Sequence, residues 1–136
     1  MANAWYDSGL EGFAGGDVAW DTSDIRSILI DEADDTIDLA VDDFLDDRAA
    51  GARVAVSGSF ASKTQTDGYL DADDVTFTSV SGDPVESLDI YCHDGGADTA
   101  RRLLLNFDTA TGLPITPDGG NIVVQWDNTT NRIARL

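Results

Sequence analysis

Polar and apolar residues alternate along most of this chain, with the period of a β-strand rather than of a helix. The clearest case is residues 75–80, where Val75, Phe77 and Ser79 fall on one face and Thr76, Thr78 and Val80 on the other. Residues 53–57 alternate in the same way, and within residues 85–93 Leu88, Ile90 and Cys92 share a face. The run Ile25–Ile30 is short, apolar and rich in β-branched side chains, which predicts a strand buried on at least one face. Residues 60–65 predict a strand ended by Asp67-Gly68, and residues 102–107 the return arm of a hairpin across the turn at 94–96. Residues 121–126 and 131–136 predict two more strands, separated by a turn at 127–130. This makes about eight or nine strands with short connections, the spacing of a sandwich.

One segment carries a helical period. In residues 3–16, Tyr6, Leu10 and Phe13 recur at intervals of four and three, Asn3 is placed to cap, and Gly15-Gly16 ends the run. Gly9 and Gly12 weaken the helix. The expected element is a short amphipathic helix packed on a sheet, the alternative being an arm that docks on a neighbouring subunit. The fold class is therefore mainly β: a β-sandwich or jelly-roll-like single domain spanning residues 1–136. Residues 3–16 form its helix and residues 17–136 its β-sandwich.

Residues 31–47 interrupt the pattern. Nine of these seventeen positions are acidic, yet Ile37, Leu39, Val41, Phe44 and Leu45 are interspersed, so the stretch is no free tail. It predicts a surface excursion with a helical turn near 42–46, held down by Phe44 and Leu45. Carboxylate density raises calcium as a possibility. The EF-hand spacing with its closing glutamate is missing here and at 67–74, so a solvated acidic face is the expectation and no metal ligand is assigned.

Composition sharpens this picture. The 136 residues include 26 acids and 8 bases, for a net charge of −18. Eight Lys and Arg are too few for a phosphate-binding surface, which argues against direct nucleic-acid contact. No apolar run is long enough for a membrane span, and no secretory signal pattern opens the chain. A single cysteine, Cys92, leaves no intrachain disulfide and no multi-cysteine zinc site. Aspartate outnumbers glutamate 23 to 3 and arginine outnumbers lysine 7 to 1. Asp favours turns and caps, which suits a loop-rich β protein. The same bias suits a salty medium, where the Debye length falls to about 3 Å at 1 M and self-repulsion is screened.

Catalytic chemistry finds little support. The lone histidine, His93, adjoins the lone cysteine, and neighbours on a strand point to opposite faces, so the two are poorly placed as a dyad. Nucleophile-elbow and nucleotide-binding glycine motifs are missing from the sequence. The expectation is a protein that is not an enzyme and has no cofactor.

Function enters through resemblance. The segments that carry it begin with Asp21-Thr22, Ile25–Ile30 with Asp31, Asp42-Asp43-Phe44-Leu45-Asp46-Asp47, Ala52-Arg53-Val54-Ala55 and Lys63-Thr64. They continue with Asp73-Asp74-Val75-Thr76-Phe77-Thr78-Ser79-Val80-Ser81-Gly82-Asp83 and Phe107-Asp108-Thr109-Ala110-Thr111-Gly112-Leu113-Pro114. The last is Gly119-Gly120-Asn121-Ile122-Val123-Val124-Gln125-Trp126-Asp127-Asn128. Over essentially the whole chain this resembles a family of small virion structural proteins of tailed bacteriophages and prophages. The resemblance implies a decoration, or cement, protein on the outer surface of the phage head. Its partner would be the major capsid protein, and it would act as a homo-oligomer, a trimer being favoured. The resemblance carries no catalytic residue; the expectation of no nucleic-acid and no membrane contact rests on the composition above. Candidate interface residues are Trp5, Tyr6, Leu10, Phe13, Ile133 and Leu136. The alternatives are a tail or head–tail connector component, an unpackaged host-takeover protein, and a glycan- or receptor-binding module that would expose Trp20 or Trp126 in a groove.

Overall fold

The computed structural model describes residues 3–129 and 132–136. It is mainly β, with one α-helix and several antiparallel sheets. The strands are β1 (Ala4–Trp5), β2 (Ile25–Ile30), β3 (Arg53–Val56), β4 (Thr64–Thr66) and β5 (Tyr69–Asp71), followed by β6 (Val75–Phe77), β7 (Ser87–Cys92), β8 (Leu103–Phe107), β9 (Ile122–Val124) and β10 (Ala134–Arg135). The helix α1 spans Asp7–Gly15.

A five-stranded sheet in the order β1-β8-β7-β2-β3 forms the middle of the molecule. Its central strand β7 is buried along its whole length, and so is β2 apart from Arg26. Both faces of this sheet are therefore covered. On one face Ile25, Leu29, Leu88, Ile90, Cys92 and Leu105 pack against Trp20, Phe60, Leu70, Val75, Phe77, Trp126 and Ile133. Those partners come from the sheets β10-β5-β4 and β6-β9 and the loops around them. On the other face Ile28, Ile30, Tyr91 and Leu103 meet Tyr6, Ile37, Leu45 and Ala52. The acidic excursion is thus a third layer over the sheet. Its helical turn is the 3-10 turn Leu45–Asp47, with Leu45 buried as expected and Phe44 half-buried beneath the Arg102 guanidinium, 5.1 Å from the ring centre.

The N-terminal segment departs from expectation. Asn3 caps no helix: its Oδ1 accepts the backbone N–H groups of Asp108 and Thr109 at 3.0 and 3.1 Å. Residues 4 and 5 are an edge strand, with Ala4 opposite Asn106 and Trp5 opposite Leu105. The helix then buries Ser8, Gly9 and Gly12 rather than a stripe of large apolar residues. A Cβ on Gly9 would stand 2.7 Å from the Leu104 carbonyl oxygen, so glycine is what lets α1 lie directly on β8. The residues that weaken the helical pattern are its contact surface. Gly16, at φ +82°, closes the helix by donating to Phe13 O.

Two other differences have local causes. Ser79 takes φ +51°, which reverses the alternation and returns Val80 to the core beside Val75 and Phe77 instead of to the opposite face. The strand expected over 60–65 is confined to Thr64–Thr66, because Ser62 is left-handed at φ +54° and Phe60 turns inward. Asp67-Gly68 then makes the two-residue hairpin to β5, with φ of +54° and +83°. The hairpin partner of residues 85–93 is in place, with Ile90 opposite Leu105, although the connection also holds a 3-10 turn at Asp98–Ala100. Of the strand expected at 131–136, Ala134–Arg135 is formed; Asn131, like Thr130 of the preceding turn, lies outside the described residues.

Candidate functional site

The six candidate interface residues separate into two groups. Tyr6 and Ile133 are interior, at 0% and 6% exposure, and cannot touch a partner. Tyr6 is drawn in because its hydroxyl donates to buried Asp89 at 2.7 Å, and Ile133 because the chain returns against β5, its N–H donating to Leu70 O. The other four lie at or near the surface. Trp5 and Phe13 are half-buried and meet edge-to-face with ring centres 5.7 Å apart; Leu10, one turn before Phe13, is 41% exposed, and Leu136 is 55% exposed. Trp5 Nε1 donates to the Arg135 carbonyl at 3.1 Å, tying an edge of the five-stranded sheet to an edge of the three-stranded one. Leu136 follows directly, its N–H donating to Gly68 O.

Cys92 and His93 do point apart. Cys92 lies in the core, its thiol donating to Asp94 at 3.6 Å, while His93 Nδ1 meets the Tyr91 hydroxyl at 3.1 Å. Burial pushes the thiol above its ordinary value, and burial with the nearby Arg26 and Arg101 charges pushes the imidazole below its own. Cys92 also lines a surface cleft of about 370 Å³ with Asp17, Phe44, Asp94 and Arg102, but a thiol held protonated is a poor nucleophile. A second cleft of about 390 Å³ lies between residues 110–115 and β9, floored by Leu29 and Leu88 and walled by Leu113, Ile115, Ile122 and Val124. Among the described residues no ionisable side chain lines it. Trp20 and Trp126 are both buried, at 3% and 7% exposure, in an aromatic cluster with Phe60. Neither presents a face to a sugar, which removes the observation that would have favoured a glycan-binding module.

The most unusual chemistry lies under the acidic excursion. Arg48 and Asp89 are fully buried side chains, with Arg48 Nε 3.6 Å from Asp89 Oδ2. Asp89 Oδ1 accepts from Tyr6 and, at 2.9 Å, from Asn106 Nδ2. Arg48 also meets Asp42 and, at 3.4 Å, Asp35. One guanidinium thus serves three carboxylates. Burial outweighs the hydrogen bonds and the Arg48 charge, and the Asp89 carboxyl is pushed up to about 6. Burial and Asp89 together push the Tyr6 phenol strongly upward, so it stays protonated and donating. Arg48 and Asp89 themselves do not reach solvent, so what the Asp89 carboxyl can exchange is a proton. The sequence does carry its signal, a strongly polar residue within two mostly apolar strands: Asp89 in β7 and Asn106 in β8.

Five of the nine acids of the excursion also accept hydrogen bonds from the main chain. Asp31, Asp35, Asp38, Asp42 and Asp47 accept backbone N–H groups from Ala33, Thr36, Ala49, Ala40, Asp38, Asp43 and Phe44, at 2.7–3.3 Å. A segment with little regular structure must satisfy its amides somehow, and the short Asp side chain does so. Asp31 and Asp34 also come together with Asp83, one carboxylate oxygen from each lying within 4.8 Å of the others. That is a grouping of acids and nothing further marks it as a cation site. Among the described residues no helix is long and apolar enough to cross a membrane. No family model matches this chain, and no curated protein matches it.

Proposed function

We propose that this protein is a decoration protein of a tailed-phage virion, seated on the outer surface of the head against the major capsid protein. The proposal starts from the resemblance carried by the sequence. The structural observation that supports it best is the Trp5–Arg135 tie, which brings Trp5, Phe13 and Leu136 to one region beside two sheet edges. A cement protein needs a rigid scaffold that presents apolar side chains to a subunit it clamps. Leu10, Phe13, Trp5 and Leu136 supply those side chains, and a homo-oligomer, a trimer being favoured, would use the same region. The acidic third layer packs on the other face of the central sheet.

The test is quantitative mass spectrometry of gradient-purified virions, paired with cryo-EM. Hundreds of copies per particle with density on the outer head are expected. Density on the tail or neck would transfer the protein to a tail or connector role, and its absence from purified particles would overturn a virion role.

A further inference from the structure

Bringing the excursion onto the sheet places one guanidinium among three carboxylates, of which Asp89 is fully buried and Asp35 and Asp42 are partly exposed. Asp89 stands on β7, whereas Arg48, Asp35 and Asp42 all arrive with the excursion. Among the described residues, Asp89 Oδ2 has no hydrogen-bond donor, and neither Nε nor Nη1 of Arg48 has an acceptor in hydrogen-bonding geometry. The closed cluster therefore carries excess negative charge at a place where charge is costly.

We propose that residues 31–52 form a latch over the central sheet, and that its closure is coupled to uptake of a proton by Asp89. The inference concerns the fold itself and does not depend on a virion role. The groups facing Asp89 are Tyr6 from the segment between β1 and α1, Asn106 from β8, and Arg48 from the latch, with the Glu32 charge acting at longer range. Tyr6 and Asn106 both come from outside the latch. Arg48 keeps Asp42 and Asp35 as partners when Asp89 becomes neutral, so protonation strands no cation. The balance is one proton taken from water onto the Asp89 carboxylate as the latch closes, and the same proton returned when it opens.

The sign follows from where the proton is held more tightly. Closed, the Asp89 carboxyl titrates at about 6; solvated by opening, it returns toward its ordinary 3.8. Acid therefore tightens the latch as pH falls through 6, and the effect levels off near 3.8. The greatest change in the closing equilibrium is about a hundredfold.

The experiment is hydrogen exchange on the full chain between pH 7.5 and 5, corrected for intrinsic rates, with β2 and β7 amides as internal references. Protection of residues 31–52 is expected to rise at least fivefold more than that of the references on acidification. Asp89→Asn, which holds the site neutral, is expected to abolish the difference. A direct carboxyl-carbon NMR titration of Asp89 in the wild-type chain stands if that variant does not fold, and a midpoint near 6 is expected. A midpoint at or below the ordinary carboxylate value would overturn the proposal. So would latch protection that is flat with pH, that falls with acid, or that responds equally in Asp89→Asn.

Discussion

Arg48 and Asp89 form an ion pair without a hydrogen bond: Nε stands 3.6 Å from Oδ2, and neither side chain reaches solvent. Attraction across such a gap must offset the desolvation of both ions, so each depends heavily on the other. Arg48→Met leaves Asp89 buried without its cation and is expected to cost about 3–5 kcal/mol of stability by urea unfolding. Adding Asp89→Asn to Arg48→Met should recover at least half of that loss. If the double variant is as unstable as the single one, the ion pair is not the source of the loss.

Stability should depend on pH in a window set by two opposite effects. Asp89 titrates higher in the folded protein than in the unfolded chain, so its contribution is full below 3.8 and lost as pH rises through about 6. Asp24 and Asp98 are held below their ordinary value by hydrogen bonds from Arg26 and from Arg53, and their contribution is lost as pH falls below that value. Thermal unfolding should show a maximum between these limits, near pH 5. In Asp89→Asn the decline between pH 5 and 7.5 should be smaller; an unchanged profile would show that another group governs it.

Gly9 offers a test of the helix–sheet contact. Alanine favours a helix over glycine by about 1 kcal/mol, yet a Cβ at this position meets backbone, Leu104 O at 2.7 Å and Leu104 Cα at 2.8 Å. Gly9→Ala is expected to lower stability by about 1–3 kcal/mol. Gly15→Ala, whose nearest such neighbour is Asp17 Oδ2 at 3.8 Å, should be neutral or slightly stabilising. Similar melting temperatures for the two variants would contradict the close packing of α1 on β8.

The interface reading is separable from stability at Leu10 and Leu136, both more than one-third exposed. Leu10→Asp with Leu136→Asp should leave Tm within a few degrees of wild type, since surface substitutions usually change stability by about 0.5 kcal/mol or less. Binding to capsids lacking the protein should fall at least tenfold in a co-sedimentation assay. Unimpaired binding would move the contact elsewhere on the surface.

A net charge of −18 predicts that Tm rises from low salt to 1 M NaCl. A flat or falling Tm would remove salt adaptation as the explanation of the acid content.

Much of the β framework was legible because period and punctuation agree. The inward face of β7 and the Asp67-Gly68 hairpin needed only alternation and turn chemistry. What was illegible depended on distant partners. Nothing local marks Asn3 as the cap of a loop more than one hundred residues away, or Gly9 as the floor of a helix–strand contact. Of the apolar residues offered as an interface, Trp5, Leu10, Phe13 and Leu136 lie at or near the surface, whereas Tyr6 belongs to a polar cluster that hydropathy cannot foresee. Arg48 was lost among charges, because composition counts a buried arginine and a solvated one alike.

The hydrogen bonds that Asp31, Asp35, Asp38, Asp42 and Asp47 accept from the backbone around them change what the acidity of this stretch means. Each is made by a carboxylate one methylene from the main chain, a reach that glutamate overshoots. Swapping these residues for glutamate would preserve every charge and dismantle the turns; swapping them for asparagine would spare most of the turns and erase the charge. At Asp31, Asp38 and Asp47 the turns use the length of the side chain; at Asp35 and Asp42 the Arg48 guanidinium uses the charge as well.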